Sequence, residues 1–330
     1  DQACTLNIIN GGGAAYPPGF ENYRVLYSYD RKDWKRHCTN LANGVLSISF
    51  TPEFDSVYFA YFIPYSLERH QNFVSESLKS PLCSLKMLGK TLDGRDLDLL
   101  TINDSLATAN KKQCWIIARQ HPGETMAEWF IEGFLDRLLD EDDGVARALL
   151  NKAVFYIVPN MNPDGSVRGH LRTNAVGANL NREWLEPSMD RSPEVYLVRE
   201  KMFETGIDMF LDVHGDEALP INFLAGCEGV VNYDERHKAL EDKFKAILLS
   251  LTPEFQDERG YDKDEAGKAN PTVGTNWVGN QFKCLAYTIE MPFKDNDLLP
   301  DYSMGWSDIR SSLLGRDFLT GIYHMVDDLR

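Results

Sequence analysis

The chain has 330 residues, of which 34 are Lys or Arg and 50 are Asp or Glu, giving a formal net charge of −16. An acidic surface of that size repels nucleic-acid phosphates and anionic lipid heads, which argues against a nucleic-acid or membrane-surface role. The 43% hydrophobic and 25% charged content is that of a globular protein of about two domains, and no run of about 18 apolar residues is present to span a membrane.

Residues 1–64 read as β structure. Alternating runs at 23–29, 44–50 and 56–62 are separated by turn signals such as Asn43-Gly44, the pattern of a small antiparallel sandwich. Few residues in it look chemical, so a packing or substrate-gating module is expected. The opening segment 1–4 lacks a basic stretch followed by an apolar one, so no secretory leader is expected there. Without an initiator Met, the chain is expected to be a mature form or a fragment.

From residue 65 to 330 the pattern changes to strands interleaved with helices. Helices are predicted at 66–78 with a Ser66 cap, 125–139, 193–204 with Ser192 as N-cap, 234–251 and 308–329. Apolar strands are predicted at 113–119, 153–158, 209–213 and 284–289. Buried strands alternating with helices imply an α/β fold with a mixed, mostly parallel sheet flanked by helices. The six cysteines Cys4, Cys38, Cys83, Cys114, Cys227 and Cys284 form no metal-binding or redox pair. They are expected to be buried, reduced thiols of a cytoplasmic protein.

Four polar segments follow apolar strands: His121-Pro122-Gly123-Glu124, Asn162-Pro163-Asp164-Gly165, Asp212-Val213-His214-Gly215 and Ile289-Glu290-Met291-Pro292. In open α/β sheets the ligand crevice lies at the carboxyl edge of the strands, so four strands are expected to serve one rim. His121 and Glu124 are three apart on a turn entering a helix, and His214 arrives from a different strand. Two imidazoles and one carboxylate leave a fourth tetrahedral position open, as in zinc hydrolases. One Zn2+ per chain is therefore expected on His121, Glu124 and His214. A carboxylate ending a buried run is costly unless used, which makes Glu290 the candidate general base. Between residues 160 and 184, Arg168, Arg172 and Arg182 cluster among several Asn, a set suited to an anionic substrate group. His37, His70, His170, His237 and His324 are not expected to bind metal, although His170 is expected near the cleft.

These residues resemble the carboxypeptidase A-like zinc metallocarboxypeptidases, and more narrowly their cytosolic carboxypeptidase branch. The resemblance rests on His-Pro-Gly-Glu at 121–124, Asn-Pro-Asp-Gly at 162–165, Leu-Asn-Arg at 180–182, Leu-Asp-Val-His-Gly at 211–215 and Thr-Ile-Glu at 288–290. It covers about residues 65–330, and the β-rich start resembles that branch's amino-terminal domain, begun part-way.

The resemblance implies zinc ligation by His121, Glu124 and His214, and water activation by Glu290. It implies oxyanion stabilisation by Arg172, and a grip by Asn181 and Arg182 on the substrate's C-terminal carboxylate. The implied substrate is the C-terminus of a peptide or protein, with acidic residues a candidate for removal. Nucleic acid and membrane are not implied partners. The chain departs from the family at three places. Asn179 stands where its best-known members carry an acidic residue that orients the first zinc histidine. Ungapped counting puts Lys268 at the place of a mobile-loop tyrosine, which Tyr261 would fill after a gap. Neutral Thr275 falls near the specificity pocket, leaving Lys263, Lys268 or Lys283 to supply any positive charge. The alternatives are a zinc amidohydrolase of the aspartoacylase or succinylglutamate desuccinylase type acting on N-acyl amino acids, and a binding module that kept the fold.

Overall fold

The alternating runs at the amino end form two three-stranded antiparallel sheets in the computed structural model, which describes residues 2–106 and 110–330. Residue 1 of the opening segment lies outside the described residues. The strands are β1 (Cys4–Ile8), β2 (Arg24–Ser28), β3 (Lys35–Cys38), β4 (Asn40–Ala42), β5 (Val45–Phe50) and β6 (Tyr58–Ala60), in the orders β1-β5-β4 and β3-β2-β6. Tyr23 and Val25 from one sheet pack against Leu46, Ile48 and Phe50 from the other, which makes the pair a sandwich with its own small core. Arg36 fastens it to the rest of the chain. Its Nε donates to Met304 O (2.9 Å), and its Nη2 donates to Phe293 O (2.9 Å) and Trp306 O (3.0 Å).

The remaining elements are α1 (Leu67–Ser77), β7 (Cys83–Lys90), β8 (Asp96–Ile102), β9 (Lys112–Ala118), α2 (Met126–Leu138), α3 (Gly144–Leu150), β10 (Ala153–Val158), α4 (Pro163–Arg168), α5 (Pro193–Thr205), β11 (Met209–Asp216), β12 (Phe223–Ala225), α6 (Glu235–Leu251), α7 (Gly274–Phe282), β13 (Leu285–Pro292) and α8 (Asp308–Met325). They build one seven-stranded sheet of order β12-β13-β11-β9-β10-β8-β7. Its four central strands are mutually parallel, and the outer pairings are antiparallel. The α/β expectation holds. The β7–β8 hairpin, β12, α3, α4 and α7 are additions that the apolar pattern did not reveal.

The sheet's side-chain period of two sorts β13 between the two faces. Leu285, Tyr287, Ile289 and Met291 join the core under α1, α2, α3, α6 and α8, while Ala286 joins the core under α5 and α7. Thr288 and Glu290 continue the second face beyond the end of that core. Helix α2, which follows the candidate metal loop, is held by α8 at very close range. A Cβ on Gly133 would lie 2.1 Å from Ser312 O, and one on Gly315 would lie 2.2 Å from Phe130 O. Only glycine admits that backbone approach.

Ser66 caps α1 as the sequence predicts, and Asp234, placed inside the predicted helix, is instead the N-cap of α6. Ser192 occupies the N-cap position of α5 without capping it, because its hydroxyl accepts the Ser188 N–H instead. Helix α8 ends at Met325, four residues short of the prediction. All six cysteines are free, but Cys4 and Cys38 are exposed, contrary to the expectation of six buried thiols. Both lie on strands of the amino-terminal sandwich, which is too thin to cover its outer faces. No helix among the described residues is long and apolar enough to cross a membrane.

Candidate active site

Strand β9 is buried on both faces and ends at Ala118. Arg119 then adopts a left-handed backbone (φ 59°), which a non-glycine residue holds only under constraint. The constraint is visible. Buried Arg119 donates from Nε to Pro122 O (2.8 Å), donates from Nη1 to Tyr65 O (3.0 Å), and pairs with Glu128. The turn this enforces points His121 and Glu124 over the carboxyl edge of the sheet. His214 sits within β11, in register with Glu290 on the adjacent parallel strand β13.

The three expected ligands converge. His121 Nδ1 lies 2.7 Å from Glu124 Oε1, His214 Nδ1 lies 2.8 Å from Glu124 Oε2, and the two Nδ1 atoms are 3.1 Å apart. All three residues are buried. Asn179 Oδ1 accepts the Asn181 N–H (3.1 Å), which fixes the amide's orientation. The same oxygen lies 3.0 Å from His121 Nε2, so that nitrogen carries the hydrogen. His214 Nε2 lies 3.0 Å from Asp212 Oδ1, an atom that can only accept. Gln120 holds Asp212 in turn, donating to its Oδ2 (2.6 Å) while accepting Trp184 Nε1 (2.8 Å).

With the outer nitrogen of His121 on Asn179 and that of His214 at ion-pair distance from Asp212, both inner nitrogens can direct lone pairs at a carboxylate. Three electron-rich groups so close together repel unless a proton or cation lies between them. This donor set fits zinc, whose ligating histidines characteristically anchor their second nitrogen on an oxygen acceptor.

The electrostatics agree with a cation site. Burial lowers the basicity of His121. Burial acts the same way on His214, but the charges of Asp212 and Glu124 outweigh it and hold that ring well above the ordinary range. For Glu124, burial pushes upward, yet the two imidazoles keep its carboxyl well below the usual carboxylate range. Glu290 goes the other way. Burial, followed by the charges of Glu124, Asp216 and Glu217, raises it well above ordinary despite the opposing influence of His214.

These groups open onto a cavity of about 590 Å³ lined by His121, Glu124, Glu290, Arg172, Asn181, Arg182 and Thr275. Asn181 Oδ1 accepts the Gly274 N–H (2.8 Å), which leaves its amide NH2 for the cavity. Arg182 Nη1 donates to Asn181 O (2.6 Å). Burial, and then the charge of Arg172, lower its pKa, so two guanidinium groups share one space that suits an anion. Thr275 and Thr288 join their hydroxyls (2.7 Å) on the wall.

Several expectations need correction. Arg168 is not in the cavity: it is exposed and forms a bidentate pair with Asp93 (2.6 and 2.8 Å). The segment at 162–165 is structural: His121, Glu124, His214 and Glu290 come from the ends of three strands, β9, β11 and β13, rather than four. Asn162 caps α4 and donates to Gln120 O (3.0 Å), and fully buried Asp164 accepts from Thr91, Asp93 and Arg95. His170 does not line the cavity, nor do Lys268 and Lys283. Lys263 does, paired with Glu228 (2.8 Å).

Tyr261 lies next to Glu290. Its Oη lies 3.2 Å from Glu290 Oε1 and donates to Asp216 Oδ2 (2.7 Å). Lys245 and Tyr16 are among the cavity residues that escaped the sequence reading. Lys245 is buried on the inner face of α6, where 237, 240, 241, 244, 245 and 248 all point inward, and it pairs with Asp257 (2.9 Å). A lysine at a core position of an amphipathic helix was the available signal. Tyr16 comes from the amino-terminal segment, where nothing looked chemical.

A buried site of two histidines and one glutamate at the carboxyl edge of a mixed α/β sheet defines a zinc hydrolase. The chain belongs to the zinc carboxypeptidase family, whose sequence profile matches residues 75–307; a second profile, the cytosolic carboxypeptidase N-terminal domain, matches residues 1–62. The family supplies one zinc per chain, and His121, Glu124 and His214 are its candidate ligands here.

The chain is 50% identical over 329 residues to an uncharacterized protein of Zymomonas mobilis, covering 100% of this chain and 85% of that one. It is 30% identical over 260 residues to cytosolic carboxypeptidase 6 of Caenorhabditis elegans, covering 76% of this chain and 56% of the worm protein. The chain thus spans little more than half of that relative. Among solved structures, a metallo-carboxypeptidase from Burkholderia cenocepacia is 47% identical with a TM-score of 0.94, covering 99% of this chain and 86% of its own. A metallo-carboxypeptidase from Pseudomonas aeruginosa, in complex with (2-guanidinoethylmercapto)succinic acid, is 44% identical with a TM-score of 0.95, covering 100% and 87%.

Proposed function

We propose that this metallocarboxypeptidase removes single residues from the C-termini of peptides or proteins, using Glu290, Arg172, Asn181 and Arg182 around zinc held by His121, Glu124 and His214. The observation that carries this is the paired guanidinium groups of Arg172 and Arg182 beside the three convergent metal donors. A free carboxylate is the anion that a chain end offers, and a clamp for it restricts cleavage to the last bond. When bound, zinc polarises the scissile carbonyl and makes water acidic enough to attack.

The chain's own residues do the rest. Asn181 and Arg182 grip the terminal carboxylate. Arg172 faces the oxygen on which negative charge develops. Glu290 takes the proton from water at its carboxylate and returns it to the departing amine. An acid whose pKa is raised suits both steps. Tyr261, hydrogen-bonded to Glu290 from the cavity wall, sits where it can close over the bound end. N-acyl amino acids also carry a carboxylate, so the clamp alone does not separate the amidohydrolase alternative; the two carboxypeptidase profile matches favour the peptidase reading.

The finer specificity we assign is for an acidic last residue, supported by Lys245 and Lys263 on the cavity wall. Both are already paired with carboxylates, Asp257 and Glu228, so a substrate carboxylate has to compete with those partners. We further assign residues 1–64 to an amino-terminal module and 65–330 to the catalytic domain. A cytoplasmic location is supported by the free cysteines and by the printed names of the cytosolic relatives. Digestion of a peptide library read by mass spectrometry tests the function. Loss of single C-terminal residues, most readily Glu or Asp, is expected, and Glu290→Gln is expected to stop it. Internal cleavage, or cleavage of N-acyl amino acids alone, contradicts the proposal.

A further inference from the structure

Arg172 is fixed at one end only by its own neighbourhood. Leu171 O accepts the Gly123 N–H (2.9 Å), and a Cβ at position 123 would run into Leu171 (2.6 Å). The backbone preceding Arg172 is therefore tied to the metal loop. Its charged end is not so held. Among the described residues, no hydrogen bond or ion pair reaches the guanidinium, and Arg182 repels it. What meets it is the ring face of Tyr16, whose centroid lies 4.9 Å from Arg172 Cζ. A guanidinium over an aromatic face at that range is attracted by the ring's quadrupole.

Tyr16 is itself held in place. Pro17 and Pro18 follow it, and a residue before proline is disfavoured from the α region; the φ of −135° and ψ of 75° at Tyr16 lie outside that region. Gly19 donates its N–H to Tyr16 O (3.0 Å). Gly19 is also buried so tightly that a Cβ would lie 2.9 Å from Tyr61 Oη and 3.0 Å from Glu217 Cβ. Lys294 Nζ donates to Pro18 O (3.3 Å). The short turn Pro17–Phe20 is thus wedged between the sandwich and the chain leaving β11, just past His214.

We propose that Tyr16 is a positioning residue: its ring face holds the Arg172 guanidinium in the cavity, so that the amino-terminal segment completes the active site. The proposal rests on the oxyanion role assigned to Arg172 above. A long arginine left free samples many rotamers, and ordering it during the reaction costs entropy that a preset contact avoids. The ring is the active part, because the phenol hydroxyl has no hydrogen-bond partner among the described residues.

The test measures kcat, KM and zinc content of the full-length, zinc-loaded enzyme on a peptide substrate. Tyr16→Phe and Tyr16→Trp keep an aromatic face and are expected to stay within about twofold of the parent. Tyr16→Leu and Tyr16→Gln are expected to lose about tenfold in kcat, with KM and zinc content unchanged. In an Arg172→Met background, which is itself strongly impaired, Tyr16→Leu is expected to cost nothing further. Equal losses in Tyr16→Phe and Tyr16→Leu overturn the proposal, because the hydroxyl would then be the working group. A fully active Tyr16→Leu, or losses that add in the double variant, also overturn it. An Arg172→Met enzyme of undiminished kcat instead removes the underlying role of Arg172, an outcome that the single variant reads separately.

Discussion

Asn179 Oδ1 bridges His121 Nε2 (3.0 Å) and the Asn181 N–H (3.1 Å). One neutral amide thereby orients a metal-facing imidazole and shapes the backbone that presents Asn181 and Arg182. An amide accepts the ring's hydrogen but draws on it less than a carboxylate does. Asn179→Asp is therefore expected to tighten zinc binding, and Asn179→Leu to weaken it by about 10- to 100-fold. Competition with a zinc-selective chelating dye reads both. An Asn179→Leu protein that holds zinc as tightly as the parent contradicts this role.

Removing the metal should be felt in stability as well as activity. Without a cation, Glu124 and the two Nδ1 atoms are left crowded within about 3 Å of one another. Dialysis against a chelator is expected to abolish peptide hydrolysis. It is also expected to lower the melting temperature, with both recovered on adding zinc; at a thousandfold excess over Kd the ion contributes about 4 kcal/mol. Differential scanning calorimetry with and without chelator measures it. Identical melting curves contradict a metal bound in the folded state.

His70 sets a pH-dependent part of the stability. It is buried, with Nδ1 2.7 Å from Glu128 Oε1 and Nε2 3.4 Å from Asp98 Oδ2. Burial lowers its basicity, but the two carboxylates prevail and raise its pKa to about 9. A group raised on folding stabilises fully below its unfolded value, about 6.5, and loses that contribution as pH rises through the folded value. The stability difference between the parent and His70→Gln is thus expected to be largest near pH 6, about 3 kcal/mol at most, and to shrink by pH 9.5. Urea midpoints across that range read it. A difference that grows with pH contradicts the assignment. Because Glu128 also holds Arg119, the variant is expected to loosen the metal loop.

Much of this site was legible because its chemistry sits where buried strands end. His121, Glu124, His214 and Glu290 each follow an apolar run, and register on β11 and β13 brings the last two side by side. The sheet's outer strands were harder to read. Leu85 and Met87 of β7 are exposed, so an edge hairpin lacks the continuous apolar run that marks a buried strand. Arg168 looked like its neighbours in sequence, but it is the last residue of α4 and is exposed there, paired with Asp93. Tyr16 could not be found at all, because its partner Arg172 is remote in the chain and a cation–π contact leaves no spacing pattern.

Specificity provides another test. Lys245 lines the cavity from a buried stem, so Lys245→Met is expected to reduce kcat/KM for peptides ending in Glu by about tenfold or more relative to peptides ending in Ala. Paired peptides differing only in the last residue measure the ratio. An unchanged ratio removes Lys245 from the recognition of the side chain.

Anomalous X-ray diffraction at the zinc edge, on crystals of the zinc-loaded protein, tests the account at its base. One strong peak is expected, about 2.0–2.2 Å from His121 Nδ1, His214 Nδ1 and a Glu124 oxygen, with Glu290 beside it and not bound to it. A peak elsewhere in the molecule, or a metal ligated by Glu290 in place of one of the three, contradicts the account.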